Sequence, residues 1–371
     1  MKSVLNHLKK LDWLLIGAVA VLFLIGLITL YADSADRTSF YKQVLFGAIA
    51  LLIILGASRL DYRLFRDYPV FLIGLYLAGV LSLILLLVAG TRIRGVAGWF
   101  QVGEFALQPV EAVKVVVVLA LAKYFSKRHI ELYRLRHLFI SGLYAFLPVM
   151  LVVAQPDLGS ALVIAASWAG LTVLSGIQAR QFILLLAAGL VLAGLVWNFG
   201  LAAYQQERVT DFLNPGDDPL GGGYQTRQAL IALGSGGLFG KGVGEGTQSR
   251  LGFLPEYKSD FIFAAIGEEW GLAGLFIVLA MWGVVFWRLW AVMESATNNF
   301  ARLLAGGVFI IFAAHVLINI GTNLALAPVT GLPLPFVSAG GSNLLSFAFA
   351  LGLVLSVRTR SFLSRKILEE R

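Results

Sequence analysis

The sequence predicts an all-α polytopic membrane protein of about ten transmembrane helices with one large extracytoplasmic loop. Three observations predict it. The 371 residues are 58% hydrophobic and only 13% charged, and the mean hydropathy is +0.83. Apolar runs recur along the whole chain, each about the 20 residues that a helix needs to cross roughly 30 Å of hydrocarbon. Cysteine is absent, which excludes a disulfide framework and a thiolate metal site.

The first run, 13–31, is too long for a signal-peptide core and lacks a small-residue cleavage site, so it reads as a retained span. Further spans are expected at 40–57, 69–89, 109–125, 138–154, 158–175, 181–200, 261–290, 302–326 and 341–357. An even number returns both termini to one face. That face carries 19 of the 29 Lys and Arg residues and the other carries nine, with Lys114 inside a span. The positive-inside rule therefore places both termini in the cytoplasm and the long loop, about 201–260, outside. Read this way, the net charge of +8 sets membrane orientation, and no nucleic-acid partner is expected. No internal repeat is visible, which weakens an inverted-repeat transporter reading. No linker divides the chain, so residues 1–371 read as one domain.

Within the outer loop, Tyr224 to Leu233 reads as a short amphipathic helix closed by Gly234. The glycines around Gly240 fail the phosphate-loop test, because Ser235 stands five positions before Gly240 and Gly242 follows Lys241. They fit a compact loop folded over the membrane surface. Arg227, Lys241 and Arg250 leave cations close in sequence to Asp260, suited to an anionic headgroup. Asp260 ends the loop at the water–membrane boundary, where two roles are open to it. It is a favoured residue type for capping the following helix, and it is also a carboxylate that stays ionised and can act as a base. Glu268 and Glu269 lie inside the next apolar run. Each costs roughly 2.5–3.5 kcal/mol at membrane depth, so both should face a partner or a cavity.

The fourth span opens Gln108-Pro109-Val110-Glu111-Ala112-Val113-Lys114, with proline in the first turn. Glu111 and Lys114 are three apart and share a face, as a structural pair or as part of a site. Gln155 and Asp157 come to the same level from the tight outer turn around Pro156. His315, Asn319 and Asn323 repeat every four residues, a stripe expected to hydrogen-bond between helices. Together these clusters imply a hydrated cavity open to the outside.

These residues resemble the SEDS family (shape, elongation, division and sporulation). The resemblance rests on the run Asp218 to Gly271, on Gln108-Pro109 with Glu111 and Lys114, and on Ala154-Gln155-Pro156-Asp157-Leu158-Gly159. Pro333-Leu334-Pro335 with Ser338 through Ser342 completes it, so that it covers essentially the whole chain. The short termini are more similar to the rod-elongation branch than to the division branch. The resemblance implies a peptidoglycan glycosyltransferase that polymerises lipid II onto a nascent glycan strand outside the cytoplasmic membrane. It also implies a class B penicillin-binding protein and other elongation-complex membrane proteins as partners, and Asp260 as the essential carboxylate. Three positions depart from the family pattern. Gly98 stands where many members have Arg, Val110 where they have Ser, and Ala339 where they often have Tyr.

The chemistry fits that expectation. A lipid-linked sugar diphosphate carries a good leaving group, so transfer needs one base for the acceptor hydroxyl and cations for the departing diphosphate. Glycosidases need two carboxylates because their leaving groups are poor. Asp260 is thus the expected base, with inversion at the sugar carbon. Lys114, Lys241, Arg227 and Arg250 are the expected diphosphate ligands, Glu111 holds Lys114, and Gln155, Asp157, Ser338 and Ser342 are further substrate contacts. A divalent cation, Mg or Mn, suits the diphosphate, but the sequence identifies no metal ligands. Two other classes compete: a lipid II flippase, and a non-catalytic scaffold for a penicillin-binding protein.

Overall fold

Inside hydrocarbon a backbone must satisfy its own hydrogen bonds, and a helix does so within one segment. The computed structural model describes residues 7–32, 37–93, 96–103, 105–128, 135–200 and 222–369, with single positions 206, 210 and 212. Its helices follow the apolar runs: α1 (Trp13–Tyr31), α2 (Arg37–Arg59), a short α3 (Arg63–Asp67), α4 (Pro69–Ala89), α5 (Pro109–Arg128), α6 (Leu135–Ala154), α7 (Leu158–Leu174) and α8 (Ala179–Leu195). After the outer loop come α11 (Ile262–Ser295), α12 (Asn299–Asn323) and α13 (Gly341–Glu369), with α9 (Gly222–Ser235) and α10 (Thr247–Arg250) inside the loop itself. Seven are long and apolar enough to cross a membrane. The other three expected spans are α5, α7 and α8: α5 is interrupted by Glu111, Lys114 and Lys123, and α7 and α8 are 17 residues each. All ten apolar runs are therefore helical. α9 matches the expected amphipathic helix, and most of 201–221 lies outside the described residues.

The loop after α4 departs from an all-helical reading. It forms a small antiparallel sheet of β1 (Thr91–Ile93), β2 (Val96–Val102) and β3 (Phe105–Leu107) in the order β1-β2-β3. Alternation in so short a segment is easily mistaken for irregular loop. Ala97 N donates to Gln155 O at 3.3 Å, tying the sheet to the α6–α7 turn.

α12 is the central helix, packed on α5, α7 and α11. Trp282, Phe312, Phe336 and Phe347 meet beside it in tilted and edge-to-face pairs. α13 lies along α2.

α11 has 34 residues, about 51 Å if straight and far more than a bilayer core requires. The excess is resolved at Gly271, whose φ of 65° and ψ of −163° break the helix. Leu272 to Ser295 then spans about 36 Å, like α12 with its 25 residues. The expected span at 261–290 falls within this helix, which is kinked at Gly271.

The break frees backbone groups that the outer loop takes up. Leu272 N and Ala273 N donate to Gly237 O and Leu238 O at 2.9 and 3.1 Å. In return, Lys241 N and Gly242 N donate to Glu268 O and Glu269 O at 3.0 and 3.1 Å. Glycine is required on both sides of this joint. A Cβ on Gly240 would meet Glu269 O, and one on Gly271 would meet Gly240 N. Gly271→Ala adds that collision to a left-handed φ, a backbone state that costs about 1–3 kcal/mol for other residues. It should lower the midpoint of thermal unfolding in detergent clearly, whereas Gly283→Ala, with open space at its Cβ, should leave it unchanged. Equal midpoints for the two variants would contradict this view of the joint.

Candidate active site

Asp260 is half-buried where the loop enters α11, and its main chain is fixed from two sides. Asn319 Nδ2 and Asn323 Nδ2 of α12 both donate to Asp260 O at 2.9 Å. The segment after α12 holds the two preceding residues: Ser338 Oγ donates to Ser259 O at 2.6 Å and Ala339 N to Lys258 O at 2.8 Å. Asp260 N donates to Glu256 O at 3.0 Å. Gly331, at φ 73°, brings its backbone near the carboxylate: a Cβ there would lie 3.9 Å from Asp260 Oδ2.

The capping role expected as one reading of Asp260 falls elsewhere. The residue before α11 is Phe261, with no side-chain cap bond. Ala264 N instead donates to Asn323 Oδ1 at 2.9 Å, so α12 caps α11 across the bundle. The expected inter-helix stripe is thus formed, and two of its members bind the residue of interest. This leaves the Asp260 carboxylate outside the cap.

Glu111 and Lys114 pair as expected, Lys114 Nζ to Glu111 Oε1 at 2.8 Å. Lys114 Nζ also lies 3.1 Å from His315 Nε2. An ammonium only donates, so His315 Nε2 accepts, its proton sits on Nδ1, and Nδ1 donates to Pro333 O at 3.3 Å. This chain ties α5 through α12 to the 333–339 segment that grips Lys258 and Ser259. Lys114 is only 1% exposed and Glu111 3%. In this conformation the ammonium does not reach an incoming diphosphate. The hydrated cavity implied by the polar clusters is, at this point, packed protein.

The other expected residues divide by exposure. Gln155 is buried, donating from Nε2 to Leu83 O at 2.8 Å. Asp157 caps α7 by accepting from Ser160 N at 2.9 Å, and its Oδ2 accepts from Gln108 Nε2 at 3.2 Å. Ser342 Oγ accepts from Gln108 N at 2.9 Å and donates to Ala106 O at 3.0 Å, joining α13 to β3. Lys241 is 26% exposed and bonds Glu268 Oε1 and Thr247 Oγ1, both at 2.8 Å. Arg250 bonds Glu269 Oε1 at 2.6 Å and Thr29 O at 3.1 Å. Glu268 has the partners that burial demands on both oxygens, whereas Glu269 is paired through Oε1 and its Oε2 is buried without a hydrogen bond. Lys241 therefore lies by Glu268, within the first two turns of α11. Arg227 is exposed on α9. The residues missed from sequence as clamps on Asp260 are Asn319 and Asn323. The four-residue spacing gave their face but not the carbonyl they bind.

Among the described residues no three His, Asp or Glu side chains gather as a metal cage. A magnesium ion carried on a diphosphate does not require one, since it keeps its waters and binds through substrate phosphates and one or two carboxylates.

Fold and site together define a helical membrane protein with a half-buried carboxylate whose main chain is held where the long loop meets the bundle. The chain belongs to the FtsW/RodA/SpoVE family of cell cycle proteins, whose model matches residues 6–362. It is similar to peptidoglycan glycosyltransferase MrdB of Escherichia coli (strain K12), with 35% identity over 98% of this chain and 99% of that protein. A chain in a structure concerned with how a peptidoglycan synthase complex coordinates polymerization and crosslinking is similar too. It shares 31% identity at a TM-score of 0.81, covering 95% of this chain and 98% of that one. The crystal structure of the rod shape determining protein RodA of Thermus thermophilus has 29% identity and a TM-score of 0.71 over the same shares.

Removing one partner of a buried ion pair leaves an uncompensated charge and costs about 3–5 kcal/mol. Glu111→Gln should therefore lower thermal stability in detergent strongly, and adding Lys114→Met should recover most of the loss. A single variant that unfolds at the parent midpoint would show that the pair contributes nothing to the fold.

Proposed function

We propose that this chain is a peptidoglycan glycosyltransferase that polymerises lipid II into glycan strands at the outer face of the cytoplasmic membrane. The observation that carries the reading most is Asp260, a half-buried carboxylate at the start of α11 whose own backbone is immobilised by two asparagines of α12. Such fixed geometry is what a general base needs, because it must meet its proton at about 2.6–3.2 Å. The carboxylate takes the proton of the acceptor hydroxyl. The hydroxyl oxygen bonds the sugar carbon while the lipid diphosphate departs from the opposite face, which inverts that carbon. Asp260 then returns the proton to water.

The departing diphosphate needs cations. Arg227 and Lys241 retain exposure on the loop, whereas Lys114 and Glu111 serve by bracing the 333–339 segment. Gln155 and Asp157 hold the α6–α7 turn, and Ser342 holds the start of α13 to β3. The outward orientation is supported by the excess of Lys and Arg on the face opposite the loop. A class B penicillin-binding protein is the proposed partner, by analogy with the relative whose synthase complex joins polymerization to crosslinking. A flippase would need charged groups along the whole membrane path. Here Glu111, Lys114 and His315 are buried and spent on one another.

Purified protein given labelled lipid II tests the assignment. Asp260→Asn keeps shape and main-chain bonds but cannot take a proton, so folded protein should remain while chain synthesis falls by about 10²–10⁴-fold. Near-parental synthesis by this variant would sink the general-base role.

A further inference from the structure

The outer loop presents an apolar wedge beside the break in α11. Leu238 is 65% exposed and Phe239 82%, although the backbone at this point is pinned to the helix through Ala273 N→Leu238 O and Gly240 N→Gly236 O. The segment's depth follows from its neighbours. Gly244 lies against Ala32, just past the end of α1, and Arg250 bonds Thr29 O in the last turn of α1. Tyr31, at that same end, is exposed, as aromatic side chains are where spans leave the bilayer. On the spanning side of the break, Leu272 and Phe276 are exposed as well, which extends the apolar surface down the lipid-facing flank of α11.

Charge is turned the other way. Lys241 points to Glu268 and Arg250 to Glu269. The backbone around the break is paired within the protein, as immersion in hydrocarbon requires. From these observations we propose that Leu238 and Phe239 insert into the acyl region of the adjacent lipid leaflet and anchor the loop there. The occupant is bilayer lipid, since the surface is continuous with a spanning helix and level with the end of another. The proposal does not rest on the glycosyltransferase reading.

The chain has no cysteine, so single-cysteine variants report cleanly. Phe239→Cys, with Leu238→Cys as a second position, is labelled with an environment-sensitive fluorophore and reconstituted in vesicles without any partner protein. Emission should shift to the blue and be quenched by nitroxides placed high on the lipid acyl chain. Reaction with a membrane-impermeant thiol reagent should be several-fold slower than for Glu245→Cys, an exposed charged position in the same loop. If both variants escape nitroxide quenching and react as fast as Glu245→Cys, the wedge faces water or awaits a protein, and the lipid anchor is overturned.

Discussion

A polar group buried in hydrocarbon without a hydrogen-bond partner costs several kcal/mol, and the half of this protein that holds Asp260 is organised by that constraint. Asn319 and Asn323 stand in a buried helix, and their amides find partners at Asp260 O, Leu332 O and Ala264 N. Meeting this demand joins α12 to the start of α11 and to the segment that follows α12. The same logic governs the break at Gly271, where groups released by the helix are taken by the loop, and it governs Glu268. That carboxylate collects Lys241, Thr247, Gln248 N and Ser249 in one shell.

The consequence for chemistry is rigidity at one residue. A loop carboxylate at a membrane surface would ordinarily sample many positions. Here the carbonyls of Lys258, Ser259 and Asp260 are each held by groups from α12 or the 333–339 segment. Those groups are braced in turn by the chain from Glu111 through Lys114 and His315 to Pro333. A base positioned this way need not be ordered again at the moment of reaction, which is how preorganisation lowers a barrier.

Much of this was legible in the sequence. Ten apolar runs gave the helices, Glu111 and Lys114 gave their pair through three-residue spacing, and Asp260 stood out as a carboxylate at a boundary. What escaped was long-range pairing. No local pattern says that Asn323 caps a helix 59 positions away or that Lys114 is sealed from solvent. Gly271 was one glycine among 40, and only its loop partner reveals why α11 kinks there. The small sheet at 91–107 was missed because its strands are three to seven residues long.

The central claim is that Asp260 acts as a base because its backbone is clamped, and a double-mutant cycle in the polymerisation rate tests it most directly. Asn319→Ala and Asn323→Ala are measured singly and together, with folded protein quantified in each case. Both amides serve one carbonyl, so each single variant should slow chain synthesis at saturating lipid II. The pair should lose little more than the worse single variant, a strongly non-additive result. Parental rates in the double variant, with the fold intact, would contradict the claim.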